Sequence, residues 1–219
     1  MSGRSRPRLA PWALARGVLA LCLMGVAGLA VVASAGPPQL LCPPGTKRVE
    51  GAARRSAWCA RPDGAQEGPS LSWYADGSLR AEAHFHDGVL SGVYREWHPN
   101  GQLREEGRYV AGQQEGTTTL WDEQGHRRSE EHYVAGKRDG TSTQWHSNGK
   151  RLAVSEYREG RRHGPARTWY EDGTLQTRGQ FVDGLRDGEW VGFWPDGSKK
   201  KVAVFDRGRE LSREYYDAE

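Results

Sequence analysis

Cysteine and long hydrophobic runs are scarce in this sequence, and each scarcity excludes a class of protein. The chain has 3 cysteines in 219 residues, too few for a small scaffold held together by many disulfides. Its mean hydropathy of −0.80 excludes a polytopic membrane protein. Glycine and tryptophan are abundant, with 29 and 9 residues. This composition is unlike that of a disordered chain and predicts many turns joined by aromatic-rich segments.

Acidic residues are absent from the first 35 positions, and this concentrates positive charge there. Four of the 31 lysines and arginines lie in residues 1–35, which leaves 27 basic against 28 acidic residues beyond, a net charge of −1. A protein that binds nucleic acid neutralises phosphates with a positive surface. The charge balance of residues 36–219 therefore predicts no nucleic-acid partner.

The leader has the layout of a secretory signal. A basic segment, residues 1–16, precedes an apolar run from Gly17 to Ala33, and Ala33-Ser34-Ala35 supplies small residues for cleavage. The alternative is an uncleaved membrane anchor over residues 17–35, because about 17–19 apolar residues can just span a bilayer. Cys22 within this run is interpreted as a small hydrophobe. Both interpretations place the rest of the chain outside the cytoplasm, as a periplasmic, cell-envelope or extracellular protein.

The two remaining cysteines, Cys42 and Cys59, are 17 positions apart in a segment that contains proline and glycine. In an oxidising compartment, an even pair in a short segment predicts one disulfide. A zinc site is the weaker interpretation, because no neighbouring histidine or cysteine completes four ligands.

A period of 24 residues, without insertion or deletion, fills most of the chain. It divides the sequence into a leader (1–35), a short head (36–67), six repeats (68–211) and a tail (212–219). A first glycine recurs at Gly68, Gly92, Gly116, Gly140, Gly164 and Gly188. A turn glycine recurs at Gly77, Gly101, Gly125, Gly149, Gly173 and Gly197, and a third at Gly88, Gly112, Gly136, Gly160, Gly184 and Gly208. The first aromatic column is Trp73, Trp97, Trp121, Trp145, Trp169 and Phe193, and the second is Phe85, Tyr109, Tyr133, Tyr157, Phe181 and Phe205.

Each unit reads as strand, turn, strand, turn. Pro99 and Asn100 suit the two central positions of a type I turn, and Gly101 suits the left-handed position that follows. A hairpin with this loop pairs Trp97 with Leu103.

Strict alternation along the strands then predicts which side chains share a face. We expect Arg95 to face Glu105, and Gly107 and Tyr109 to share the face of Trp97. Because the period is even, every unit shows the same face, and both aromatic columns are expected on one side. Small residues between the columns, with Glu131 as the exception, leave room for the indoles: Ala83, Gly107, Ser155, Gly179 and Ala203. The predicted fold is all-β, an elongated single-layer antiparallel sheet of hairpins after an N-terminal signal or anchor helix.

These residues resemble MORN repeats, specifically the bacterial variant type. The segment Gly92 to Gly112, GVYREWHPNGQLREEGRYVAG, carries the spacing of glycines and aromatics that marks the family. The resemblance covers residues 68 to about 210 and implies a hairpin sheet that binds or scaffolds. MORN repeats are linked to protein contacts and to membrane lipids, and the bacterial variant is similar to proteins labelled as antitoxins. That label conflicts with an export signal, since antitoxins normally meet their toxins in the cytoplasm.

No motif for catalysis stands out in the sequence. Neither a G-x-S-x-G nucleophile turn, an H-E-x-x-H helix nor a phosphate-binding glycine loop is present. His84 and His86 flank one aromatic residue, but no third metal ligand accompanies them, and all seven histidines are interpreted as solvated. We therefore expect neither cofactor nor metal, and no enzymatic activity.

The sequence leads to one functional hypothesis and several alternatives. The first is an exported protein-interaction scaffold in the cell envelope, with a protein partner and end-to-end self-association through open strand edges. The alternatives are a module that binds cell-wall glycan or lipid head groups, and an antitoxin- or immunity-like protein.

Overall fold

The structure, a computed structural model, describes residues 40–217. The predicted N-terminal signal or anchor helix lies outside these residues. Within residues 40–217, seventeen strands belong to one open antiparallel sheet. In chain order they are β1 Lys47–Glu50, β2 Ser56–Ala60, β3 Gln66–Trp73, β4 Leu79–His86, β5 Val89–Leu90, β6 Gly92–Trp97, β7 Leu103–Val110, β8 Gln113–Gln114, β9 Gly116–Trp121, β10 Arg127–Val134, β11 Lys137–Trp145, β12 Arg151–Arg158, β13 Arg161–Trp169, β14 Leu175–Val182, β15 Leu185–Phe193, β16 Lys199–Asp206 and β17 Arg209–Tyr215.

Strand pairing follows chain order, so the all-β prediction is confirmed. One hairpin recurs along the repeat region as β3–β4, β6–β7, β9–β10, β11–β12, β13–β14 and β15–β16. One short 3₁₀ turn, Ala52–Arg54, lies between β1 and β2. Within residues 40–217, no helix combines the length and the hydropathy needed to cross a membrane.

The first turn of each hairpin has the predicted conformation. In the unit of Gly101, the His98 N–H donates to Gln102 O at 2.8 Å, and the Gly101 N–H donates to His98 O at 2.9 Å. Gly101 has φ +84, which a residue with a Cβ adopts only at a cost. The same two hydrogen bonds occur in the turns that follow β3, β9, β11, β13 and β15.

The second turn closes each unit against the preceding one. Its first central residue is left-handed although it carries a side chain, as in Ala135 with φ +48. Carboxylates 20 residues upstream accept several of these backbone N–H groups, for example Glu115 Oε2 from Ala135 N at 2.9 Å. The third glycine then donates its N–H to the strand before, as Gly160 does to Arg138 O at 2.8 Å. Each unit is thus bonded to its predecessor through the backbone.

The head extends the sheet, because β1 pairs with β2 and β2 pairs with β3. The predicted disulfide between Cys42 and Cys59 is present. Cys59 packs with Leu40, Ala57 and Leu71 in a small buried cluster. Closing a loop of this size contributes about 3 kcal/mol in the chain-entropy account. The head is therefore held by a covalent link and by an apolar core.

Candidate functional site

The register of the hairpins separates the two aromatic columns onto opposite faces, so the prediction of a single aromatic side is wrong. Trp97 faces Leu103 as expected, but Glu96 faces Glu105 and Arg95 faces Glu106. Three residues of β7 therefore oppose two of β6, which is a bulge at Arg104. Because of the extra residue, the side chains of Leu103 and Glu105 point to opposite faces of the sheet, whereas strict alternation would place them on the same face.

The sheet thus has a Trp face and a Tyr/Phe face. The Trp face carries Trp73, Trp97, Trp121, Trp145, Trp169 and Phe193. The Tyr/Phe face carries Phe85, Tyr109, Tyr133, Tyr157, Phe181 and Phe205. The small residues expected to accommodate the indoles of the Trp column lie on the Tyr/Phe face instead.

Side chains at the start of the first turns link successive units along the Trp column. Tyr74 Oη donates to Trp97 O at 2.7 Å, and Tyr170 Oη donates to Phe193 O at 2.8 Å. His98 Nε2 lies 3.0 Å from Trp121 O, and a carbonyl can only accept, so this nitrogen carries the proton. His146 Nε2 makes the same contact with the next unit at 2.9 Å. The interpretation of these two histidines as solvated is wrong, and their role is to join units.

The other histidine pair does not form a metal site. His86 Nδ1 lies 2.9 Å from Glu67 Oε1, and the Asp87 N–H donates to Glu67 Oε2 at 3.0 Å. The hydrogen bonds from Asp87 N–H and from His86 lower the pKa of Glu67, and the hydrogen bond to Glu67 raises the pKa of His86. In the part of the chain that the structure describes, no three His, Cys, Asp or Glu side chains converge as metal ligands.

The N-terminal half of the Tyr/Phe face is acidic. Glu96 is buried and faces Glu105 across the hairpin, with Arg104 Nη1 3.2 Å from Glu96 Oε1. Burial, and then the charge of Glu96, raise the pKa of Glu105. Burial also raises the pKa of Tyr94 to about 12, with Glu96 adding to the effect. Arg80 of the preceding unit lies 3.7 Å from Glu96 Oε1, so this carboxylate is paired with two arginines.

The C-terminal half of the same face carries arginines at the 24-residue period, in a column of Arg138, Arg162 and Arg186. Each lies opposite the second-column aromatic residue of its own unit, in the cross-strand pairs Tyr133↔Arg138, Tyr157↔Arg162 and Phe181↔Arg186. Each guanidinium also stacks on the aromatic ring of the following unit. The Cζ-to-centroid distances are 5.2 Å for Arg138 over Tyr157, 5.1 Å for Arg162 over Phe181 and 5.4 Å for Arg186 over Phe205.

The phenol of Tyr157 lies between two of these arginines. Its Oη accepts from Arg138 Nη1 and from Arg162 Nε, each at 3.2 Å. Arg138 Nε also lies 3.1 Å from Glu131 Oε2, which accepts from Tyr133 Oη at 2.6 Å. Rings and guanidinium groups therefore alternate across the strands as one connected row, which we call the arginine row (Tyr133, Arg138, Tyr157, Arg162, Phe181, Arg186 and Phe205).

Sequence reasoning singled out the rings of the arginine row but not the column that its three arginines form. The signal was available, since the three arginines recur at intervals of 24 residues. The earlier units carry Gln66, Leu90 and Gln114 at this position, so the column is incomplete and does not stand out.

A shallow depression lies at the N-terminal end of the arginine row, between β9, β10 and β11. Its lining residues are Thr117, Glu130, Glu131, His132, Gly140 and Thr141. These residues belong to both faces of the sheet. Thr117 Oγ1 lies 3.5 Å from His132 Nδ1, a contact between two exposed side chains that is too long to activate the hydroxyl as a nucleophile. The chemistry that this part of the sheet offers is charge recognition.

Comparison with known proteins agrees with this geometry. The sequence profile of the MORN repeat variant matches residues 66–87, 90–111 and 162–183. The remaining units share the turn glycines but are not matched, so the count of six repeats stays a prediction from the period. No curated protein matches the chain.

Solved structures add little to this assignment. One that matches, "Crystal structure of GtfA/B complex bound to UDP and GlcNAc", is 14% identical, with a TM-score of 0.21, over 65% of this chain and 25% of that chain. The chain thus spans about a quarter of that protein, and the similarity is too low to indicate a shared fold or activity. By its hairpin geometry, its turn glycines and the three matched segments, the chain contains MORN repeats of the variant type, a kind of repeat that is generally non-catalytic.

Proposed function

We propose that the chain is an exported, non-catalytic repeat protein that acts as a protein-interaction scaffold in the cell envelope. The observation that carries the proposal is the single-layer sheet itself. Among residues 40–217, the large side chains that are fully buried are Val191 and Cys59. Most side chains of both faces are therefore accessible to a partner along the whole sheet. The presence of MORN repeats supports a role in binding proteins or lipids.

Export is supported by the leader and by the disulfide. A basic segment followed by an apolar run and small residues is typical of a secretory signal. The Cys42–Cys59 bond is of a kind that persists in oxidising compartments. We propose that residues 1–35 are removed, or retained as an anchor, and that residues 36–219 reach the periplasm, the cell envelope or the extracellular space.

Self-association end to end is a second part of the proposal. β1 and β17 each have one strand neighbour, on the inner side. Leu211 and Tyr215 on β17 are 54% and 64% exposed. An edge of this kind can pair with another strand, although the charged residues of β17 oppose it.

The test is a pull-down of the mature chain from envelope extract, with binding to liposomes and to cell-wall polymer measured in parallel. Recovery of one protein in stoichiometric amount supports the scaffold. Saturable binding to liposomes or polymer without such a protein contradicts it and favours the lipid- or glycan-binding alternative. Capture of a toxin by the unprocessed, cytoplasmic chain would instead favour the antitoxin-like alternative.

A further inference from the structure

The arginine row presents positive charge at a regular spacing. Its arginines lie two strands apart, which corresponds to roughly 9.4–9.8 Å from the usual distance between strands. Arg138 is paired with Glu131. No carboxylate of residues 40–217 forms an ion pair with Arg162 or Arg186, and both residues are exposed. Two guanidinium groups of the row are thus available to an anion.

Stacking holds these guanidinium groups in place before any ligand arrives. Arg162 lies over Phe181, and Arg186 lies over both Trp190, at 4.7 Å, and Phe205. A stacked guanidinium keeps its fork of N–H donors in one plane, which suits bidentate binding of a carboxylate. Because less side-chain freedom is lost on binding, a pre-positioned donor binds more tightly than a mobile one.

The composition of the row selects the class of ligand. Sugars bind by stacking on free aromatic faces, but guanidinium groups cover Tyr157, Phe181 and Phe205. A membrane surface attracts a broad positive field, whereas residues 36–219 carry a net charge of −1. A peptide that presents carboxylates at the spacing of the arginines requires neither free ring faces nor a broad positive field.

The spacing also selects the conformation of such a peptide. A polyproline II helix rises about 3.1 Å per residue and has three residues per turn, so side chains at i and i+3 lie on one face about 9.3 Å apart. In a β-strand, residues at i and i+2 share a face at only about 6.6–6.8 Å. The polyproline II repeat therefore matches the arginines, and the strand repeat does not.

We propose that the arginine row binds an extended acidic peptide that carries a carboxylate at every third residue, in the polyproline II conformation. The inference rests on the proposed protein-binding function and gives the partner a chemical signature. The carboxylates pair with Arg162 and Arg186, and the residues between them lie over β14, the strand that separates the two arginines.

The binding test uses the full chain and three synthetic peptides of equal length. One consists of Glu-Pro-Pro triplets, one of Gln-Pro-Pro triplets, and one of alternating Glu and Pro. The first is expected to bind at least about tenfold more tightly than either of the others, with an affinity that falls as salt is added. Equal binding of the two acidic peptides would refute the spacing argument, and absence of binding would refute the site.

Two double variants with the same change in net charge localise the effect. Arg162→Gln/Arg186→Gln removes the two available guanidinium groups. Lys137→Gln/Arg161→Gln removes two charges from the adjacent positions of β11 and β13, which point to the other face. The first is expected to weaken binding at least about tenfold, and the second less than about threefold. Equal weakening would show that general charge attraction, and not the row, binds the peptide.

Further measurements separate this inference from misfolding and from failure of the proposed function. Circular dichroism checks that both double variants fold. If the Gln variant is unfolded, Arg162→Lys/Arg186→Lys keeps the charge, loses the planar fork, and is expected to lose most of the affinity. If the binding of anionic vesicles requires Arg162 and Arg186 and the binding of the peptide does not, the peptide proposal is overturned. A pull-down that recovers a partner while all peptides fail to bind refutes the peptide site alone.

Discussion

Replacing Gly179 with alanine is expected to be among the most disruptive single changes on the Tyr/Phe face. An added Cβ at this position would lie 2.2 Å from Trp190 Cδ2 and 2.4 Å from Cε2. The indole of Trp190 must therefore move away from β14. Trp190 would then lose its edge-to-face contact with Phe181 at 4.9 Å, its stacking with Arg186 and its hydrogen bond to Gln180 O at 3.1 Å. An aromatic contact, a cation–π contact and a neutral hydrogen bond each contribute about 0.5–1.5 kcal/mol, which sums to about 1.5–4.5 kcal/mol.

A double-mutant cycle tests whether the cost arises from this one overlap. Trp190→Ala removes the indole, and Gly179→Ala in that background is expected to be neutral or to stabilise by up to about 1 kcal/mol, because glycine is unfavourable inside a strand. Gly192→Ala on the same face is the matched control, since its nearest heavy atom, Lys201 Cβ, is 3.8 Å from the added Cβ. The free energies come from urea unfolding followed by circular dichroism, and hydrogen exchange localises the loss to β14 and β15.

The outcome is a coupling energy between positions 179 and 190. A value of about 1.5–4.5 kcal/mol supports the packing argument. An equal cost of Gly179→Ala with and without the indole would refute it, because the strain would then lie in the backbone. A large cost for the Gly192 control would show that the face tolerates no methyl group anywhere.

Three further predictions concern the head and the turns. Because the pKa of His86 is raised, its contribution to stability is complete below the ordinary pKa of 6.5 and is lost as pH rises through the raised value. Because the pKa of Glu67 is lowered, its contribution to stability is complete above the ordinary pKa of 4.5 and is lost as pH falls through the lowered value. Urea midpoints of the head should therefore peak between these limits, and Glu67→Gln should flatten the profile; a wild-type profile that is already flat contradicts the pair. Ala135→Gly should stabilise by about 0.5–1 kcal/mol by relieving left-handed strain, which a rise in melting temperature checks and a fall contradicts. Reducing the Cys42–Cys59 bond should destabilise the head by about 3 kcal/mol, measured by hydrogen exchange in β2, and Cys42→Ser/Cys59→Ser should no longer respond to reductant.

The repeated hairpin could be predicted from the sequence because its determinants are local. Pro99, Asn100 and Gly101 encode a turn within a few residues, and the period repeats such signals along the chain. The disulfide followed from the spacing of two cysteines in a segment predicted to be exported. The leader itself could not be compared with the structure, which begins at residue 40.

The assignment of faces could not be predicted from alternation alone. The bulge depends on how β7 pairs with β6. An arginine at position 104 is not a residue type that indicates a bulge in the sequence. The roles of the arginines were hidden for a related reason. Arg162 acquires its environment from Phe181, a ring that belongs to the following strand, so its position in the column has meaning only after the strands are paired.

The bond from each third glycine to the strand before it has a consequence for the history of the molecule. Every unit offers its successor the same acceptor, as Arg138 O does for Gly160 and Arg162 O does for Gly184. A gene segment that encodes one whole unit can therefore be duplicated or lost in frame without creating a mismatched junction. Each such event would lengthen or shorten the reach of the protein by roughly 9.5 Å, the width of two strands.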